Sequence, residues 1–195
     1  MVDISASSGG MAVNNSGDGN VNIVVSGQIA KLPSVLSPLL MKVVEHYRPQ
    51  YDPNVILEKS PRIEEKILFN KLKYYAEDVR LNSEFMAIIE DAFSAIDDES
   101  PGSKSTIQWT INRSYKEVKR QVLISNNIDP WDAVAVGNVI SDNSDKIFKH
   151  VLDDVFTMDF NDLGCDRELL IAAQELLVCY GFISCMILEE PNNDK

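Results

Sequence analysis

DRELLIAAQELLVCYGFISCMILEEP, residues Asp166–Pro191, is mostly apolar from Leu169 to Leu188. Asp166 suits an N-cap, and Glu168 follows in the first turn, where the helix dipole favours negative charge. The apolar positions do not form one stripe. They run all the way around a helical wheel. A helix apolar on every side is either buried on every side or sits in a membrane. At about 1.5 Å per residue it would reach roughly 33 Å, long enough for both. Gln174 and Glu175 fall in its middle, and its flanks are acidic apart from Arg167. A charge at the bilayer centre costs about 3 kcal/mol, and basic anchors are the usual flanks of a span. The segment is therefore read as a buried pillar around which the other helices pack.

The preceding chain supplies those helices. Ser34–Tyr47 places apolar residues at helical spacing, with Pro38 in its first turn. Residues 48–60 carry Pro49 and Pro53 and read as an extended connection. Ser60 then looks like an N-cap with Pro61 at the first helical position. That helix is expected to run to about Leu81, with Ile63, Ile67, Leu68, Leu72, Tyr75 and Val79 inward. Asn82 is expected to open the next, whose stripe is Phe85, Ile88, Ile89, Ala92, Phe93 and Ile96. After a polar break at 97–104, Thr106–Leu123 turns Ile107, Ile111, Tyr115, Val118 and Val122 inward. Asn126 and Asn127 end it, and Asp129-Pro130 is expected to start a helix over Trp131–Ile140. Gly137 inside that helix costs about 1 kcal/mol against Ala and suggests close helix packing. A further amphipathic helix carries Ile147, Phe148, Val151, Leu152 and Phe156, and a loop over 158–165 leads to the pillar. The count is about seven helices after residue 32. Each fully buried Leu, Ile, Val or Phe contributes about 1.5–3 kcal/mol, and no helix can hide its own stripe. The fold class is all-α: a compact multi-helix bundle around a buried C-terminal helix.

Residues 1–31 differ in kind. Residues 1–20 are rich in Gly, Ser and Asn and read as a flexible leader. Then Val21, Ile23 and Val25 alternate with Asn22, Val24 and Ser26, which is strand periodicity. A lone strand cannot satisfy its own backbone. Either the stretch is a disordered tail, or it pairs with the leader folded back through Gly17-Asp18-Gly19, with another copy or with a partner's sheet edge. Asn20, Val21, Asn22, Ile23, Val24 and Val25 are accordingly the candidate partner-binding or oligomer-forming residues. The domains are residues 1–31, a leader with one short strand, and residues 32–195, the helical domain.

Charge and chemistry narrow the function. The net charge is −12, from 18 basic and 30 acidic residues. Phosphate backbones and anionic membrane surfaces both require local Lys/Arg density, so neither is an expected direct partner. The chain has three cysteines, Cys165, Cys179 and Cys185, an odd number without a CxxC spacing, read as small apolar core residues. The first residues lack the basic and apolar regions of a secretory signal, so a reducing cytoplasm is expected. No GxxxxGK[ST], GxGxxG or GxSxG is present. Asp18, Asn20 and Asn22 alternate as at the opening of a calcium loop, but Ile23 stands where the sharp-turn Gly belongs and no closing Glu follows. Of the two histidines, only His150 has a carboxylate at helical spacing, Asp154. That pair is the one weak enzyme or metal signal, and a solvated surface pair explains it. Trp109 and Trp131 read as core. No catalytic residue, cofactor or metal is expected. A ligand-sensing helical domain is the alternative, and a small enzyme using His150 and Asp154 ranks below it.

Three separated segments carry a resemblance. PRIEEKILFNKLKYYAEDVR (61–80) holds Lys66, Ile67, Asn70 and Tyr74; TINRSYKEVKRQVL (110–123) holds Ile111, Tyr115 and Lys119; and YGFISCMILEEP (180–191) holds Cys185, Ile187, Leu188, Glu189 and Pro191. In this order they resemble the C-terminal helical domain of bacterial ABC three-component conflict systems. There KI-x-x-N-x-x-x-Y, I-x-x-x-Y-x-x-x-K and C-x-ILE-x-P recur. The leader NNSGDGNVNI is similar to the Asn/Gly-rich strand that often precedes such domains. The resemblance covers about 160 of the 195 residues. It implies a non-catalytic adaptor, an assembly subunit linking an effector to an SMC-like ABC ATPase in antiphage defence; a homo-oligomer is expected from the N-terminal strand itself. Members usually carry a nuclease or protease domain ahead of this module. Here only a short leader stands there, so either the effector acts in trans or the role is different.

Overall fold

The computed structural model describes residues 36–49, 60–155, 164–184 and 186–191. All belong to one compact unit, Pro33–Lys195. The expected strand, and with it Asn20, Val21, Asn22, Ile23, Val24 and Val25, lies outside the described residues. Among those described, every element is a helix: α1 Leu36–His46, α2 Pro61–Phe69, α3 Ala76–Ser83, α4 Met86–Glu99, α5 Ser103–Ser125, α6 Ala133–Asp142, α7 Ser144–Val155 and α8 Arg167–Ile183. None is long and apolar enough to cross a membrane.

α8 is the pillar, packed against α1, α3, α4, α5 and α7. Its two halves differ. Every residue from Leu176 to Phe182 is buried, so this half is enclosed all round. Earlier in the helix Leu170 and Ala173 are buried while Ile171 and Glu175 face solvent, so the mid-helix charge needs no buried partner.

The apolar run continues past the helix, but the helix does not. It stops at Ile183, and Ser184 caps it by donating its backbone N–H to the Tyr180 carbonyl at 2.8 Å. The chain then folds back. The Met186 and Ile187 amides both donate to the Gly181 carbonyl, at 2.8 and 3.2 Å. Met186, Ile187 and Leu188 are buried against the helix they have just left. Gly181 makes the reversal possible. A Cβ there would lie 2.9 Å from Ile187 Cδ1 and 3.0 Å from Ile111 Cγ2.

The other helices depart from expectation in instructive places. The expected 61–81 helix is two. It begins as read, with Ser60 as N-cap and Pro61 first, although the Ser60 side chain makes no capping bond. It ends at Phe69, and Lys71 takes a left-handed φ of 51°. The cause is tertiary. Asn70 is drawn onto the C-terminal turn, and the Asp145 carboxylate of α7 accepts the Tyr74 amide at 2.8 Å and the Tyr75 amide at 3.3 Å, an anion at the start of α3. The break leaves Leu68, expected inward, exposed. Asn82 opens no helix. It is buried near the end of α3, accepts from the Tyr47 hydroxyl at 3.1 Å and donates to Cys179 Sγ at 3.6 Å.

α6 starts later than expected. Asp129 takes the Trp131 amide at 2.9 Å in a local turn, and Asp132 is the N-cap, accepting from Val134 and Ala135. Trp131 is thereby left outside the helix and 90% exposed, and Trp109 is 59% exposed. Neither belongs to the core. Gly137 does not mark close packing, for nothing lies within 4 Å of a Cβ built there. Cys179 is buried as expected, and Cys165 is partly buried.

The two helical glycines should therefore respond oppositely. Gly181→Ala is expected to cost about 1–3 kcal/mol by overpacking the reversal, whereas Gly137→Ala should gain up to about 1 kcal/mol from helix propensity. Urea unfolding of both variants checks this, and equal effects would refute the packing account.

Candidate functional site

The C-terminal turn, residues 186–191, is held by a polar clamp built from three helices. Asn70, just past α2, does most of the fastening. Its side-chain NH2 donates to the Glu189 carbonyl at 2.8 Å and to the Lys66 carbonyl at 2.9 Å, and its side-chain oxygen accepts the Glu189 amide at 3.0 Å. Asn70 thus reads the Glu189 backbone in both directions, as a neighbouring strand would. From α5, Asn112 donates to the Met186 carbonyl at 3.0 Å.

The Glu189 carboxylate faces α5. The Tyr115 hydroxyl donates to Glu189 Oε1 at 2.5 Å and Lys119 Nζ to the same oxygen at 2.6 Å. Burial pushes this carboxyl up, but the hydrogen bonds from Lys119 and Tyr115 and the charges of Lys119 and Lys66 outweigh it. The net result lies below the ordinary Glu value. Tyr115 is pushed the other way, first by burial and then by the carboxylate it serves, so its phenol stays protonated. Carboxylate and phenol hold their states as acceptor and donor across the neutral range.

Lys66 is the costliest member. It sits on the inward face of α2 and is 3% exposed. A buried ammonium without partners would cost several kcal/mol. Here Nζ donates to the Phe182 carbonyl at 2.7 Å and to Glu190 Oε1 at 2.5 Å, and it lies 4.9 Å from the centre of the Phe182 ring. One side of this arrangement borders a cavity of about 160 Å³ edged by Ser60, Arg62, Glu190 and Pro191. Among the described residues no buried side-chain nitrogen or oxygen lacks a hydrogen-bond partner. With its groups mutually engaged, the clamp is built to hold the turn.

This clamp gathers residues that the sequence placed in three separate segments. Lys66 and Asn70, Tyr115 and Lys119, and Glu189 meet within hydrogen-bond reach, while Ile67, Ile111 and Ile187 enter the core. Tyr74 does not join them. It is exposed, on the rim of an open cleft of about 580 Å³ that also involves Lys71, Lys73, Asp142, Lys146 and Lys149. The cleft escaped sequence reading because its walls come from the α2–α3 connection and the α6–α7 junction. His150 is exposed on α7, and Asp154 accepts the Ser114 hydroxyl of α5 at 2.7 Å. Among the described residues no group of three or more His, Cys, Asp or Glu could hold a metal ion. Compared with known proteins, the chain matches no family model, no curated protein and no solved structure.

Two outcomes test the clamp. Asn70→Ala removes three hydrogen bonds and strands the Glu189 backbone, so it is expected to cost about 2–4 kcal/mol by denaturant titration. Because the folded Glu189 value is depressed, its contribution is present above the unfolded pKa and lost as pH falls through the folded one. The stability gap between wild type and Glu189→Gln should therefore be full at neutral pH and shrink below about pH 4. A gap unchanged down to pH 3 would remove the carboxylate from the account.

Proposed function

We propose that this chain is a non-catalytic adaptor, an assembly subunit of a bacterial antiphage defence complex that links an effector to an SMC-like ABC ATPase. One observation carries the reading. Five of the twelve residues behind the resemblance, Lys66, Asn70, Tyr115, Lys119 and Glu189, scattered over more than half the chain, are gathered in a single clamp. Their meeting at one turn is what supports the reading. In this reading the cytoplasmic helical body presents surfaces to other proteins, and Asn20–Val25 pair with another copy or with a partner's sheet.

Co-expression with the products of the neighbouring genes tests the proposal. A stoichiometric complex with a long coiled-coil ATPase is expected. Deleting residues 1–30 should leave the helical circular dichroism and melting cooperativity intact while self-association or partner capture weakens. Unchanged size by light scattering together with unchanged capture would defeat the role given to the N-terminal stretch. A second reading, a ligand-sensing domain, is favoured by the cleft of about 580 Å³ with its four lysines and exposed Tyr74. Thermal-shift screening with nucleotides and other small anions separates the two. A saturable rise in melting temperature, abolished by Lys73→Ala with Lys146→Ala, would favour sensing.

A further inference from the structure

Where α5 turns into α6, three large apolar side chains stand in solvent. Ile124 is 71% exposed, Trp131 90% and Val134 74%. Isolated exposed apolar residues are ordinary, but three within residues 124–134, one of them Trp, are not. The turn between the two helices is fixed. Asp129 holds the Trp131 amide at 2.9 Å, and Asp132 holds the Val134 and Ala135 amides at 3.1 and 3.0 Å. The Ile128 amide donates to the Leu123 carbonyl at 3.0 Å, and Asn127 takes a left-handed φ of 57°. Trp131 is thus presented on an ordered backbone, which lowers the entropy cost of using it in binding.

The turn itself is acidic. From Gln121 to Ser141 the sequence contains no Lys or Arg, yet it contains Asp129 and Asp132, and Arg120, one helical turn before Ile124, is ion-paired with Glu117. Asp129 and Asp132 flank the indole and are exposed. A second copy is a poor occupant. Two such tips would bring like charges together on chains of net charge −12. An aromatic anchor with an acidic rim fits a partner whose apolar face is bordered by Lys or Arg.

We infer that the α5–α6 tip, Ile124, Trp131 and Val134 rimmed by Asp129 and Asp132, docks a basic amphipathic helix of a partner protein. The inference rests on the adaptor reading and gives it a face and a partner chemistry.

The full chain carrying Trp109→Phe leaves Trp131 as the sole tryptophan reporter. Its emission should be that of a solvent-exposed indole and should shift to the blue, saturably, on titration with a synthetic Leu–Lys amphipathic helical peptide. A Leu–Glu peptide of the same periodicity should cause no shift. The deciding variant adds Val134→Asp. The new charge sits in the first turn of α6, where the helix dipole tolerates it, and it strengthens any purely electrostatic attraction to the peptide. Docking on the tip predicts that this variant binds about tenfold more weakly. Binding that is unchanged or tighter overturns the proposal in favour of charge alone. Emission already blue in the free protein overturns it by showing that the same chain covers the tip. A blue shift that grows with protein concentration alone overturns it in favour of a second copy. An ATPase complex that persists in Val134→Asp while peptide binding is lost overturns the tip as the adaptor's docking face and leaves the adaptor reading standing.

Discussion

The bidentate grip of Asn70 on the Glu189 backbone is the constraint on which the rest of this structure depends. It sets where α2 ends, because the side chain that reaches the C-terminal turn belongs to the residue at which helical geometry is abandoned. It sets the path of the turn, which must bring Glu189 to Asn70 while Ile187 lies back on Gly181. Leu188, between them, is forced to a φ of 64°. A non-glycine residue pays roughly 1–2 kcal/mol in that region, and the position persists because its neighbours on both sides are fastened.

Apolar burial and polar fastening divide the labour. The enclosed half of α8, with the stripes of α1, α4, α5 and α7 against it, supplies the bulk of the hydrophobic stabilisation. That force is non-directional, and directional bonds sharpen the register it leaves. Hydrogen bonds from Lys66 to the Phe182 carbonyl, from Tyr180 to Glu90 at 2.6 Å and from Asn82 to Cys179 fix the rotation and height of α8 within its sheath. Glu90 lies below the ordinary Glu value, chiefly through its hydrogen bond from Lys104. Burial holds the Cys179 thiol protonated.

How far the amino-acid order discloses all this depends on the range of each signal. The stripes of α4, α5 and α7, the Pro61 start and the breaks at 100–102 and 126–127 are local, and periodicity and turn chemistry give them away. The split of α2 from α3 is not local: Asp145 and Glu189 decide it from 72 and 119 residues away, by hydrogen bond to Lys73 and Asn70 respectively. The end of α8 misleads for a related reason. Met186–Leu188 are as apolar as the helix before them, because residues folded back onto a core need the same composition as residues within it. Trp131 reads as core by type alone. Two successive aspartate turns place it outside, and the competition between Asp129 and Asp132 for the start of α6 has no periodic signature. Of the clamp, Lys66, Asn70, Tyr115, Lys119 and Glu189 stand out in the sequence only as members of separate helical patterns, Asn112 and Glu190 do not stand out, and no local signal announces that they meet.

The clamp also dictates an order of events during synthesis. Its bonds join positions 116 to 124 apart around Lys66. The first of them needs residue 182 clear of the ribosome, and the set is complete only when residue 190 is out. Until then the earlier helices have formed stripes but no latch, and Lys66 remains hydrated. A nascent chain stalled in α8 would expose its greasiest surface while lacking the means to shut, which makes it a natural client for chaperones and proteases. Completion of the turn then lets the helical body close.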